Sequence, residues 1–327
     1  MSTTTTPSGA RPAALYLPVD GLDVTAGKRL LQERGIDVLD VQDDPPAEAL
    51  ERVVALMAGY DRVDAELLDR LPGLRLVVTH SSGYDMVDLD AAAERGLWVS
   101  NLPSAATGEV AVHALAMALA LVRRLPELDR DVRAGRWLAD RQHLPRTPQT
   151  LTCGVVGMGR IGQTFASMAG GLFTRVVGYD PALPDSAWPV GVDRQRDLDD
   201  LLRVSDCISL HLPLAPDTRG LLDGRALALL PEGAIVVNVS RGELVDQAAL
   251  LEAVRSGHLS GAACDVLAEE PPAPGDPVLA EERLLLSPHV AYLSPGSVLR
   301  YTETPARAVL ALLDTGEPLH PVLRPPH

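Results

Sequence analysis

The chain has 327 residues, too many for one typical domain and comfortable for two. Apolar residues make up 46% and aromatics only 3%, so each core must be built chiefly of Ala, Val, Leu and Ile, as in parallel strands covered on both faces. A net charge of −15 disfavours nucleic acid and anionic membrane as partners, and no apolar run is long enough to span a bilayer.

Residues 1–11 carry no apolar segment of the kind a signal peptide needs and are expected to be a disordered tail. From Ala13 onward short apolar runs alternate with helical stretches. Strands are predicted at 13–17, 37–41, 52–58, 74–78 and 98–100, with a helix over 25–34 closed by Gly35. This alternation predicts a parallel sheet. Residues 107–125 predict a long Ala-rich helix, apolar on most faces, that must be covered within its own subunit or by a second copy. A polar stretch runs from Pro126 to residue 149. A second series then predicts strands at 151–156, 175–179, 207–212, 234–239, 261–266 and 284–287, with helices at 161–169, 198–204, 224–230 and 247–256. Residues 297–313 are helical again, and the tail beyond is Pro-rich and extended. The fold expected is α/β with two doubly wound domains. Cys153, Cys207 and Cys264 all fall in strand-like runs without a CxxC pair, which predicts buried, reduced thiols in a cytoplasmic protein.

One motif stands out in the second series. Gly157-Met158-Gly159-Arg160-Ile161-Gly162 directly follows a strand and directly opens a helix. A GxGxxG run alone is weak, but in this context it fits a dinucleotide site. Gly157 allows the tight turn, Gly159 lets the backbone approach a pyrophosphate, and Gly162 lets helix and strand pack closely. The helix N-terminus then offers N–H groups and partial positive charge to the phosphates. The next strand ends in Asp180, a carboxylate that would accept from the ribose hydroxyls and repel a 2′-phosphate, so NAD is expected rather than NADP.

Three later segments carry chemistry: Asn238-Val239-Ser240-Arg241-Gly242, Cys264-Asp265 through Glu269-Glu270-Pro271, and Ser287-Pro288-His289-Val290-Ala291. Each follows a predicted parallel strand, at the edge where open α/β sheets bind ligands. An Arg, a Glu and a His thus converge. A histidine can give or take a proton near neutral pH. An arginine can grip a carboxylate by a two-point fork and polarise a carbonyl. No metal-ligand spacing is present, and no metal is expected.

Together with LPGLRLVVTHSSGYDMVDLDAAAERGLWVSNLP, GVVGMGRIG, SLHLPLAPDTRGLL, NVSRGELVDQAAL, GAACDVLAEEPP and LLLSPHVAYLS, these segments make the chain resemble the D-isomer-specific 2-hydroxyacid dehydrogenase family over nearly its whole length. The resemblance implies a Rossmann NAD-binding domain over 103–295 inserted in a flavodoxin-like substrate domain formed by 12–102 and 296–327, with a hinge at the two crossings. It implies Arg241 as the clamp on substrate carboxylate and carbonyl, His289 as acid–base and Glu270 as its partner, chosen over Glu269 by family spacing. The backbone N–H groups of Ser82 and Gly83 would take the substrate carboxylate. His211 and Pro213 would line the nicotinamide or ribose pocket, and Asp265 would face the carboxamide. Tyr292, three past His289, is expected at the pocket mouth, where an aromatic favours an apolar or aromatic substrate side chain. His80 and His113 are divided evenly between pocket and packing roles. The activity implied is interconversion of a 2-oxo acid and a D-2-hydroxy acid by a homodimer. Two neighbouring activities stay open: phosphite oxidation, and an NAD(H)-sensing protein-binding scaffold like the C-terminal-binding-protein corepressors.

Overall fold

A computed structural model describes residues 11–19, 21–137 and 144–325; all but the last residue of the expected disordered tail lies outside them. The chain divides into two units, one running to Ala105 and resuming at Ser294, the other Ala106–Leu293. Among the described residues thirteen strands follow in chain order: β1 Ala13–Tyr16, β2 Asp37–Asp40, β3 Val53–Ala58, β4 Leu76–Thr79, β5 Trp98–Ser100, β6 Thr152–Val156, β7 Arg175–Tyr179, β8 Asp193–Gln195, β9 Cys207–Leu210, β10 Ala234–Asn238, β11 Leu259–Cys264, β12 Leu284–Leu286 and β13 Pro321–Leu323.

The first unit holds the sheet β13-β5-β4-β3-β1-β2. Its first five strands run parallel in the doubly wound order of flavodoxin-like folds, and β13 adds an antiparallel edge against β5. The second unit holds β12-β11-β10-β9-β6-β7-β8, all parallel. Read from β8, that order is the Rossmann arrangement, with its switch point between β6 and β9. The central strands are continuous apolar runs because both their faces are covered. Val156, Ile208, Leu210 and Val236 meet the helices of one face, while Cys153, Val155, Cys207 and Val237 meet helix Thr107–Val122 and helix Arg160–Ala169 on the other.

Three features depart from the sequence reading. The apolar helix stops at Val122 instead of residue 125, Arg124 turns left-handed at φ 55°, and a second helix Leu125–Arg133 starts with Pro126 in its first turn. That helix buries none of its residues and is laced by the pairs Arg124–Glu127 and Arg133–Asp129, so its sequence looks like a polar loop. The edge strand β8 is short and polar, and β13 contains a proline, so neither has an apolar run to announce it. All three cysteines are free and buried. Among the described residues no helix is long and apolar enough to cross a membrane.

Candidate active site

The glycine turn lies at the switch point. Gly157 takes φ 90°, and a Cβ there would meet the His211 carbonyl oxygen at 2.4 Å. A Cβ on Gly162 would meet the Gly157 carbonyl oxygen at 2.0 Å, so this helix can approach its strand only through glycine. Gly159 is the opposite case. It caps helix Arg160–Ala169, nothing lies within 4 Å of where its Cβ would be, and no side chain caps the helix. The turn therefore presents open space and uncapped N–H groups together, which fits a pyrophosphate. Arg160 is exposed at the first helical position, and Ile161 packs into the core behind it.

Asp180 lies at the end of β7. One carboxylate oxygen accepts the Met158 N–H at 2.8 Å, and the other accepts those of Ala182 and Leu183 at 2.9 and 3.1 Å. The carboxylate thus ties the glycine turn to β7 and is itself held in one orientation. His211, after β9, turns its ring inward. Its Nε2 lies 2.9 Å from the Ser209 hydroxyl, the ring packs 4.9 Å from Phe165, and Nδ1 is buried with no partner among the described residues. Burial pushes its pKa down to about 3, so it is neutral at ordinary pH. His211 thus meets the glycine turn with its backbone and Cβ. Pro213 is exposed, and its carbonyl accepts the Thr218 hydroxyl.

The three chemical loops follow β10, β11 and β12. After β10, Asn238 clips its own turn: its amide donates to the Arg241 carbonyl at 2.8 Å and its oxygen accepts the Ser240 N–H at 3.0 Å. The next residue, Gly242, abuts the second loop so closely that a Cβ would lie 2.0 Å from the Leu267 carbonyl carbon. The second loop brings Glu270 round to accept the Leu267 N–H on Oε1 at 2.8 Å and to face His289 Nδ1 with Oε2 at 2.7 Å. Burial opposes charge on Glu270. The hydrogen bond and charge of His289, the Leu267 N–H and the charge of Arg241 outweigh it and hold the carboxyl below its ordinary pKa. Arg241 and Glu270 therefore sense one another's charge. In the third loop His289 adopts φ 52°, with its N–H on the Asp265 carbonyl at 2.7 Å and its ring 6.3 Å, edge-on, from that of Tyr292.

Asp265 is almost completely buried, and both its oxygens accept from the third loop: Oδ1 from the Ser287 hydroxyl and the Val290 N–H, Oδ2 from the Ala291 N–H. In this structure it is the anchor of the His289 loop.

Residues 115–291 match the family model described as D-isomer specific 2-hydroxyacid dehydrogenase, NAD binding domain. The chain belongs to that family. It is 36% identical over 303 residues to a glyoxylate reductase of Korarchaeum cryptofilum, covering 86% of this chain and 90% of the relative. To a D-3-phosphoglycerate dehydrogenase of Archaeoglobus fulgidus it is 34% identical over 277 residues, 84% of this chain but 50% of the relative, so it spans about half that protein's length. The solved D-lactate dehydrogenase of Aquifex aeolicus, complexed with NAD and lactic acid, superposes with a TM-score of 0.84 at 28% identity, covering 94% of this chain and 98% of that one. The second unit holds the residues that match this family's NAD-binding domain.

The predicted residues of this domain thus lie at the C-terminal ends of its strands, with Arg241, Glu270 and His289 on three interlocked loops. In the other unit, the loop 79–83 leaves β4 tied down through its carbonyls. Ser81 O accepts from Thr79 and from Leu102 N, Ser82 O accepts from Asn101, and Gly83 O accepts from Ser81. The Ser82 and Gly83 N–H groups have no acceptor among the described residues. His80 is buried, and desolvation pushes its pKa down to about 4. Asn238 is the strand-end hydrogen-bonder that its position suggests, but sequence reasoning missed Gly242 and Ser287 as shaping residues. Only Gly242 carried a signal, the bare glycine after a strand-end arginine.

Proposed function

We propose that the protein is an NAD-dependent reductase of a small 2-oxo acid, forming the D-2-hydroxy acid, with His289 as acid–base. The observation that carries this reading is the His289–Glu270 pair at 2.7 Å under the charge of Arg241. A carboxylate can only accept, so His289 Nδ1 carries the hydrogen toward Glu270, and Nε2 is left to exchange a proton with the substrate oxygen. Glu270, held ionised, stabilises the imidazolium that must exist before the proton is given. Arg241 offers a planar fork that binds the acid and draws charge onto the carbonyl oxygen. When bound, NADH would supply the hydride, with the glycine turn as the residues that would hold its phosphates and Asp180 the one that would hold its adenosine ribose. The N–H groups of Ser82 and Gly83 are proposed to take the substrate carboxylate, and Tyr292 to meet the substrate side chain.

The test is turnover of NADH with glyoxylate, hydroxypyruvate, pyruvate, phenylpyruvate and branched 2-oxo acids, with Arg241→Ala as control. Oxidation of NADH that vanishes in the control supports the reading. Tight NADH binding with no turnover on any acid overturns it. A homodimer is proposed as well, because Val112, Leu125, Val132 and Trp137 are all at least half exposed in the NAD-binding domain. Sedimentation of a monomer at micromolar concentration would rule that out.

A further inference from the structure

The left-handed backbone of His289 needs support, because a non-glycine residue seldom holds φ 52° unaided. That support comes from Asp265, which receives three successive amides: His289 N–H on its carbonyl, Val290 N–H on Oδ1 at 3.0 Å and Ala291 N–H on Oδ2 at 2.9 Å. A carboxylate 1% exposed has little water to orient it, so its direction rests on its donors, and the one outside these amides is the Ser287 hydroxyl. A hydroxyl is a rotor. It points at Asp265 reliably only if its oxygen is held from elsewhere. His113 does this, with Nε2 3.1 Å from Ser287 Oγ and 3.7 Å from Asp265 Oδ1. Since the Ser287 hydrogen goes to Asp265, Ser287 Oγ must accept and His113 must present Nε2–H. His113 stands on helix Thr107–Val122, whose Ala111, Ala114 and Ala118 are fully buried against the sheet, so the donor is mounted on a rigid element.

We propose that His113 is a positioning residue for His289, acting through Ser287 and Asp265. The proposal rests on the reading of His289 as the acid–base. His113 fixes the Ser287 hydroxyl, the hydroxyl fixes the Asp265 carboxylate, and the carboxylate sets the amides that aim the catalytic imidazole at Glu270. The chain gives the apolar helix a second duty besides filling the core.

The test compares His113→Leu, His113→Gln, Ser287→Ala and the double variant His113→Leu/Ser287→Ala, each saturated with NAD(H). His113→Leu is expected to lower kcat for 2-oxo acid reduction about fivefold, the worth of one neutral hydrogen bond, with KM for NADH within about twofold. His113→Gln keeps a side-chain N–H donor and is expected to recover most of the rate. Adding His113→Leu to Ser287→Ala is expected to cost nothing more, because both act on one chain of bonds. Nitrogen-15 NMR of the His289 ring reads the positioning without turnover: its signals should move in the Leu variant and return in the Gln variant. Failure of the wild type to reduce any 2-oxo acid would overturn the functional reading, while the ring signals would still decide the positioning. Unmoved ring signals and rate in His113→Leu would overturn the proposal. So would equal damage from Leu and Gln, additive losses in the double variant, or an effect confined to KM for NADH.

Discussion

Replacing Glu270 by Gln separates charge from shape at the heart of the site. Gln keeps an oxygen that can accept from His289 Nδ1 but removes the negative charge that stabilises the imidazolium. It also has one oxygen where the carboxylate uses two, for Leu267 N–H and for His289, so one of those donors is left weaker. A hydrogen bond to a charged group contributes about 1.5–3 kcal/mol. The side chains of His289 and Glu270 are 28% and 37% exposed, so solvent screening argues for a value just under that range, about 1.4 kcal/mol. That is about tenfold in a rate constant. The proton is given from a charged imidazole, so removing the charge beside it should lower kcat/KM for 2-oxo acid reduction about tenfold in Glu270→Gln. The assay is kcat/KM for reduction, with the NADH Kd read by fluorescence titration on the same variant. A loss under threefold, or a loss carried by NADH binding alone, would refute the reasoning, because charge would then not be what Glu270 contributes.

Three further outcomes are expected. Arg241→Lys retains the charge but loses the two-point fork, and kcat/KM should fall roughly 100-fold, the effect of losing about 3 kcal/mol of charge-assisted bonding; a loss under threefold would remove Arg241 from the clamp role. Asp180→Ala strips the acceptor from Met158, Ala182 and Leu183, so NADH should bind about tenfold more weakly by fluorescence titration while NADPH binding gains; unchanged selectivity would show that Asp180 does not choose the cofactor. His80 sits at about pKa 4 against an ordinary 6.5. Below pH 6.5 the unfolded chain takes a proton that the folded chain refuses, so stability is lost as pH falls from about 6.5 to about 4. At pH 5 that amounts to about 2 kcal/mol relative to pH 8, which His80→Gln should abolish in urea unfolding curves; an acid slope identical to wild type would show that His80 is not the cause.

Much of this was readable in the residues because the chemistry sits where a parallel sheet must put it. Strands that are continuous apolar runs end abruptly at the groups they present, so Arg241, Glu270 and His289 could be placed on loops at the ends of β10, β11 and β12 before any coordinates. The glycine turn was legible for a related reason: Gly157 and Gly162 answer local steric demands that only glycine meets. Ser287 and His113 were not legible as a pair. Ser287 and His113 are 174 positions apart, and a hydrogen bond across that distance leaves no period or motif. The helix Leu125–Arg133 and the strand β8 escaped because solvent-facing elements held by ion pairs and edge pairing lack the apolar rhythm that signals burial.

Asp265 shows how a motif can name a residue and leave its work unstated. Its place at a strand end beside the cofactor crevice suggests a contact with the nicotinamide. The structure gives it three donors from the His289 loop and a fourth bond through its own carbonyl. A buried carboxylate with that many donors is costly to disturb, and the cost is what makes it a useful anchor. His289 is held in a backbone conformation that its own side chain does not favour, so its aim is set by Asp265 and not by local propensity. Asp265→Asn should therefore act on kcat before it acts on cofactor affinity. An amide has one acceptor oxygen for Val290, Ala291 and Ser287, and its NH2 group would face a backbone N–H. Steady-state kinetics with NADH titration on the same variant checks the order. A rise in NADH Kd with kcat intact would return Asp265 to the cofactor and leave the left-handed histidine to be explained by its neighbours alone.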